Sequence, residues 1–337
     1  MVKSRRSKKT IMFDIITIGS GTLDVFISTG ARMFRPCQSC PDHVKVPFGS
    51  KLLVDRISFF TGGGGTNTAV GFSRLGFRTA WIGKIGDDTT GETILLELTH
   101  EKVDTSFVAI AKGKTSGYSL ILDAKGHDRT VLAYKGCNDL LRPTEVLAKP
   151  LQSPWIYCSS QLGGSLKTIL TIVEKARRKG TKIAFNPSSY MITLEKKVVK
   201  KILFSTHILI FNSEEAEMLV GRAGIKQTMK RIHDLGPRFA VVTDGAHGAH
   251  GSDGSRIWHC KAPPVHVVES TGAGDSFATG CVAGLMKEWT LPEAMKIGMA
   301  ESASVIQHMG AKHILLTWKQ ALKAVRQTSR GACRQIF

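Results

Sequence analysis

The chain has 337 residues, 42% of them hydrophobic and 22% charged, which supplies apolar material for a sizeable core and excludes a disordered or fibrous protein. Its net charge of +19 invites a nucleic-acid reading, but eleven of those charges sit at the two ends. They are Lys3, Arg5, Arg6, Lys8 and Lys9 at one end, and Lys312, Lys319, Lys323, Arg326, Arg330 and Arg334 beyond the last acid, Glu301. Ends of this kind read as solvated tails, here 1–10 and 321–337, so specific nucleic-acid binding is not expected.

No apolar run approaches the roughly 18–20 residues of a membrane helix. Residues 11–18, behind the basic N-terminus, are short and interrupted by Asp14. They read as a buried first strand rather than a signal-peptide core, so a cytoplasmic protein is expected. Seven scattered cysteines, an odd number, point to reduced thiols. Cys37 and Cys40 form the one C-x-x-C, read as loop cysteines with half of a zinc site or an oxidisable pair as the alternative.

In chain order, 11–18 predicts a strand, 66–75 a helix, 79–85 a strand and 89–100 a helix. After the middle come strands at 155–159, 182–186, 207–212 and 239–243, separated by helices at 166–179, 214–220 and 225–235. This alternation argues for an α/β fold with a mostly parallel sheet covered by helices on both faces. Residues 52–60 and 106–134 break the rhythm with strand composition alone. Within the second, 118–122 and 130–134 flank a turn at 124–128, which predicts a small antiparallel sheet placed to act as a lid.

The segment Ser270-Thr271-Gly272-Ala273-Gly274-Asp275 runs directly into a helical pattern. A helix N-terminus carries unpaired N–H groups and partial positive charge, so it attracts anions, and small residues allow a phosphate to approach. A carboxylate beside such a pocket suits the acceptance of a proton from an attacking hydroxyl; a plain helix cap at Asp275 is the alternative. A second cluster, Gly62 to Gly65 followed by Thr66 and Asn67, leads into another helix. Neither cluster matches G-x-x-x-x-G-K-[ST] or G-x-G-x-x-G, which excludes the P-loop and dinucleotide fingerprints.

Together these clusters resemble the two signatures of the ribokinase-like (PfkB) family of carbohydrate and nucleoside kinases. The likeness spans about residues 11–320, with a lid from about 25–60 and 105–135. Ala69 to Gly76 and Ile82 to Asp88 continue the first signature. Asn212-Ser213-Glu214-Glu215 is similar to the family's N-x-x-E element, and Thr243-Asp244-Gly245-Ala246-His247-Gly248 to its nucleotide loop. The resemblance implies Asp275 as the general base, with the N–H groups of Gly272, Ala273 and Gly274 as the anion hole. It implies a substrate pocket from Asp24, Gly63, Gly64 and Asn67, and an ATP site lined by Thr243, Gly245 and Gly248. Asn212 and Glu215 would organise phosphates and magnesium, Glu215 through water.

Two departures stand out. Ser270, after Glu269, stands where relatives commonly have aspartate, which leaves a monovalent cation open. Residues 298–302, G-M-A-E-S, lack an asparagine common on the adenine-side helix. The expected activity is ATP-dependent phosphorylation of a sugar hydroxyl, with a nucleoside kinase as the first alternative. A silent scaffold or RNA-binding member is the second. Pairing of two subunits through the lid is left open.

Overall fold

The computed structural model describes residues 12–29, 35–37, 40–45, 49–124, 130–148, 150–327 and 331–337. The expected tail at 1–10 and the turn at 125–128 lie outside them. In chain order the strands are β1 (Ile15–Ile18), β2 (Thr22–Thr29), β3 (Arg35–Cys37), β4 (Cys40–Lys45), β5 (Arg56–Gly62), β6 (Thr79–Ile82), β7 (Lys84–Gly86) and β8 (Ala109–Ala111). They continue with β9 (Gly117–Ala124), β10 (Thr130–Tyr134), β11 (Trp155–Ser159), β12 (Lys182–Asn186), β13 (Ile208–Asn212), β14 (Phe239–Thr243), β15 (Ala249–Ser252), β16 (Ile257–Cys260) and β17 (Cys333–Gln335). The helices are α1 (Gly64–Arg74), α2 (Thr89–His100), α3 (Pro143–Leu147), α4 (Gly163–Arg178), α5 (Ser189–Leu203), α6 (Ser213–Val220), α7 (Ile225–His233), α8 (Ala273–Met286), α9 (Leu291–Val305) and α10 (Trp318–Gln327).

Nine strands form the central sheet in the order β17-β16-β15-β14-β13-β12-β11-β1-β6. From β14 to β6 the neighbours are parallel; β15, β16 and β17 add on antiparallel. The strands at the centre are buried along their length, as in Ile15–Ile18 and Trp155–Ser159, because helices cover both faces. One layer packs Ile169 of α4, Met191 and Val199 of α5, Leu219 of α6 and Met229 of α7 against Ile16, Phe185 and Leu209. The other packs Phe72 of α1, Phe277 and Cys281 of α8 and Met295 of α9 against Ile15, Tyr157 and Ile210. A separate four-stranded sheet, β10-β9-β2-β5, forms the lid. Its β9–β10 hairpin pairs Tyr118 with Tyr134 and Leu122 with Thr130.

Three expectations are corrected. The 79–85 segment is two strands, because the chain leaves the central sheet after Ile82 and β7 pairs with β8 instead. Residues 321–337 are not a free tail: α10 extends to Gln327, and β17 pairs with β16. The thiols are not all reduced, since Cys260 and Cys333 face each other in register and form a disulfide. That pairing was hidden by a separation of 73 residues.

Candidate active site

The carboxyl ends of the parallel strands and the start of α8 meet under the lid. Ligands of open α/β sheets bind at such strand ends. Gly272 is the N-cap of α8 in the left-handed conformation, φ 80°. A side chain there would be strained and would stand 2.6 Å from Ala311 Cβ. A carbon added at Gly274 would meet nothing within 4 Å, so the backbone there is open to an approaching group. The Ala273 N–H already donates to the Ser270 carbonyl at 3.2 Å, so of the three predicted anion-hole donors this one is engaged within the turn. Glu269 supplies a carboxylate at the start of the motif and accepts from both the N–H and the hydroxyl of Thr271 at 2.8 Å.

Asp275 stands at the junction of two cavities. The first, about 230 Å³, is lined by Asp24, Gly63, Gly64, Asn67, Gly272 and Asp275, so the structure brings the predicted substrate residues together. It also recruits Ser119, Lys135 and Asn138, which no local sequence pattern marked. Asn67 Nδ2 donates to Asp275 Oδ2 at 2.8 Å, while Asn67 Oδ1 is buried with no hydrogen-bond partner. Asp24 is 6% exposed, accepts from the Thr22 hydroxyl at 2.9 Å and is also bonded by Ser119. Gly62 must be glycine here, because a Cβ would fall on the Asp24 carboxylate. Burial pushes the carboxyls of Asp24 and Asp275 above the ordinary range, and the nearby Asp24 charge raises that of Asp275 further.

The second cavity, about 210 Å³, is lined by Asn186, Asn212, Glu215, Thr243, Gly274 and Asp275, among others. Asn212 and Glu215 form a reciprocal capping box at the start of α6: Asn212 Oδ1 accepts from the Glu215 N–H at 2.8 Å, and Glu215 Oε2 accepts from the Asn212 N–H at 2.9 Å. Burial pushes the Glu215 carboxyl up. Gly245 and Gly248 adopt positive φ, 50° and 96°, in a tight turn after β14 and do not line this groove. Gly248 lets that turn pack on the Cys260 carbonyl. Farther out, a cavity of about 620 Å³ opens between the 260–265 loop and α9, lined by Lys261, Pro263, Val265, Met299, Ala303 and Gln327.

Among the described residues no cluster of three metal-ligating side chains occurs, and Glu215 alone offers a carboxylate in the groove besides Asp275. This donor set fits magnesium, which keeps several waters and is held through one or two carboxylates plus phosphate oxygens.

The model of the pfkB family of carbohydrate kinases matches residues 29–318. The chain belongs to that family. It is therefore a phosphotransferase of the PfkB type. A ribokinase from Haemophilus influenzae is 28% identical over 294 residues, covering 84% of this chain and 94% of the relative. The ribokinase of Arabidopsis thaliana, solved with ribose and ATP, superposes with a TM-score of 0.78 at 18% identity, over 94% of this chain and all of that one. A nucleoside kinase of Methanocaldococcus jannaschii superposes with a TM-score of 0.77 at 19% identity, over 94% and 99%. PfkB members with sugar and with nucleoside acceptors thus share this fold. Among the described residues no helix is long and apolar enough to cross a membrane.

Proposed function

We propose that the protein transfers the γ-phosphoryl group of ATP to a hydroxyl of a sugar. The observation that carries this reading is the position of Asp275, which lines both the pocket holding Asp24 and Asn67 and the groove at the start of α8. The attacking hydroxyl would give its proton to Asp275, while a second hydroxyl of the acceptor would donate to Asp24. The attacking oxygen forms the new bond to the γ-phosphorus while the bond to the departing ADP oxygen breaks. The α8 N-terminus, chiefly the Gly274 N–H, would bear the charge on the transferred group. Asn67 keeps Asp275 oriented for that step. Magnesium would sit near Glu215 through water and would neutralise phosphate charge. The large cavity beside α9 would take the nucleotide base.

The size of the acceptor pocket favours a small acceptor: about 230 Å³ is below the ~300–1,000 Å³ of drug-sized ligand sites. A nucleoside acceptor is the second reading, favoured by the apolar lid residues Ile121, Val131 and Tyr134 on the pocket's outer side. Ile57, Phe59 and Leu132 are exposed on the lid, which supports pairing of two lids. Magnesium-dependent ADP release, screened across sugars and nucleosides with Asp275→Asn in parallel, tests the activity. Stimulation by a sugar that is lost in the variant is expected. Stimulation by nucleosides alone would overturn the sugar assignment, and activity surviving in the variant would overturn Asp275 as the base.

A further inference from the structure

Among the described residues Lys135 is the one cation that lines the acceptor pocket. It is half-buried, and its ammonium lies 3.9 Å from the centroid of the Tyr190 ring of α5. None of the ion pairs among the described residues includes it. An aromatic face holds an ammonium more weakly than a carboxylate or phosphate does, so a ligand anion can recruit this one. The backbone that carries Lys135 is fixed. Asn138, three residues on, accepts from the Gly21 N–H at 2.9 Å and donates to the Gly21 carbonyl at 3.0 Å. The Cys137 N–H donates to the Thr115 carbonyl at 3.0 Å, and Gly136 holds φ 52° where a Cβ would meet the carbonyls of Thr115 and Ser116. The side chain therefore departs from a rigid point.

That point is across the pocket from the carboxylates. Asp24 of β2, Ser119 of β9 and Ala133 of β10 are in register across the lid, and all three line the pocket. Neighbouring strands stand about 4.8 Å apart, so Ala133 lies roughly 10 Å from Asp24 along this row, with Lys135 two residues beyond it. The helices give the same division. Asn67 and Asp275 come from α1 and α8, which cover one face of the central sheet. Lys135 stands with the other layer: Tyr190 belongs to α5, and Ser165 of α4 donates to the Asn138 carbonyl at 2.5 Å. The pocket is thus polarised, with two carboxylates at one side and an ammonium without an anionic partner at the other.

We propose that the acceptor is a sugar carrying an anionic group, phosphate or carboxylate, which Lys135 binds while the hydroxyl to be phosphorylated lies at Asp275. The inference rests on the acceptor-site reading above and names the class of acceptor within it. Hydroxyls of a neutral sugar are served by Asp24, Asn67, Ser119 and Asn138, and such a sugar gives an ammonium no charge to answer. An anionic group at one end of the acceptor gains a charge-assisted bond from Lys135 and is repelled from the side of Asp24 and Asp275. The two effects act together to fix which end of the molecule faces the base. A nucleoside, neutral in both sugar and base, makes no use of this polarity.

The test compares acceptors matched except for charge: fructose with fructose 6-phosphate, and glucitol with gluconate. Each is titrated calorimetrically without ATP and then assayed for magnesium-dependent ADP release. In the wild-type protein the anionic member of one pair is expected to bind ~10–100-fold more tightly than its neutral counterpart, the worth of a charge-assisted hydrogen bond. The pair that responds tells phosphate from carboxylate. Lys135→Met should remove most of that preference through KM, with kcat for the anionic acceptor changed much less, and Lys135→Arg should retain it. Lys135→Gln supplies a second neutral variant should the first fail to fold. Equal binding of charged and neutral members in both pairs, or tighter binding of the neutral ones, overturns the proposal. So does a Lys135→Met variant that loses kcat equally on both members of a pair, because the ammonium would then serve the transferred phosphoryl group. Preferential binding of an anionic acceptor with no ADP release from any acceptor would sink the kinase reading and leave the anion site standing. ADP release with neutral sugars alone would do the reverse.

Discussion

The acceptor pocket and the phosphate groove share Gly272 and Asp275, yet they are built from different material. On the proposed acceptor side the lining groups are side chains, the buried Asp24 and Asn67 and the half-buried Asp275. On the side proposed to hold phosphate the groups are largely backbone, the open Gly274 and the left-handed Gly272 at the start of α8, and the side chains of Asn212 and Glu215 are spent on capping each other. A pocket built from side chains should respond to changes of charge. A groove built from backbone should tolerate such changes and respond to the addition of a single carbon.

Asp275 belongs to both regions, so its loss should be the largest effect. In Asp275→Asn, kcat is expected to fall ~10²–10⁴-fold, the range of a lost general base, with the acceptor KM changed much less. Equal losses in binding and turnover would show that Asp275 serves to hold the acceptor rather than to take its proton.

Gly272→Ala isolates the backbone contribution. The added carbon meets Ala311 and the residue must keep φ 80°, so the start of α8 shifts. A displacement of that kind is expected to cost about 10²-fold in kcat. Unchanged turnover in the folded variant would mean that the phosphate is not held by this helix start. On the side-chain half, Asp24→Asn should raise the acceptor KM roughly 10-fold or more, the loss of a charge-assisted hydrogen bond, while the KM for ATP stays put. If both KM values rose together, the division between the two regions would be wrong.

What the sequence made legible divides along the same line. Backbone sites announce themselves locally, because only small residues fit: both glycine turns, and the helices that start from them, are where the pattern placed them. Strands buried on both faces were equally plain, and 155–159, 182–186 and 239–243 agree residue for residue. The side-chain site was legible only where the family resemblance supplied it. Ser119, Lys135 and Asn138 reach the pocket from the lid and the turn after it, with no periodicity to mark them. Lys312 is buried against Glu97, 215 residues away, and a run without acids made it read as a solvated charge. The capping box of Asn212 and Glu215 shows the reverse problem, since one four-residue pattern serves a helix start and a phosphate site equally well.

A buried carboxylate on the nucleotide side offers the finest test of the comparison. Glu301 of α9 is fully buried, with one bond from the Leu316 N–H at 3.2 Å and its other oxygen unpartnered. Unlike Asp24 and Asp275, it lines none of the cavities above and packs against Gly280 of α8, while Met299 and Ala303 of the same helix line the cavity beside α9. Burial pushes its carboxyl up to about 8 from 4.5. The folded protein therefore binds a proton that the unfolded chain has released across that window. Stability is fully supported below pH 4.5, falls as pH rises toward 8, and levels off above it, by up to roughly 5 kcal/mol for this group. Glu301→Gln, which keeps the shape and cannot ionise, should flatten that fall in denaturant midpoints measured from pH 5 to 9. Its ATP KM and kcat should remain within about twofold of wild type, as expected for a surface-free structural group. A changed ATP KM would instead join Glu301 to the nucleotide site and make that side depend on a buried acid, as the acceptor side does.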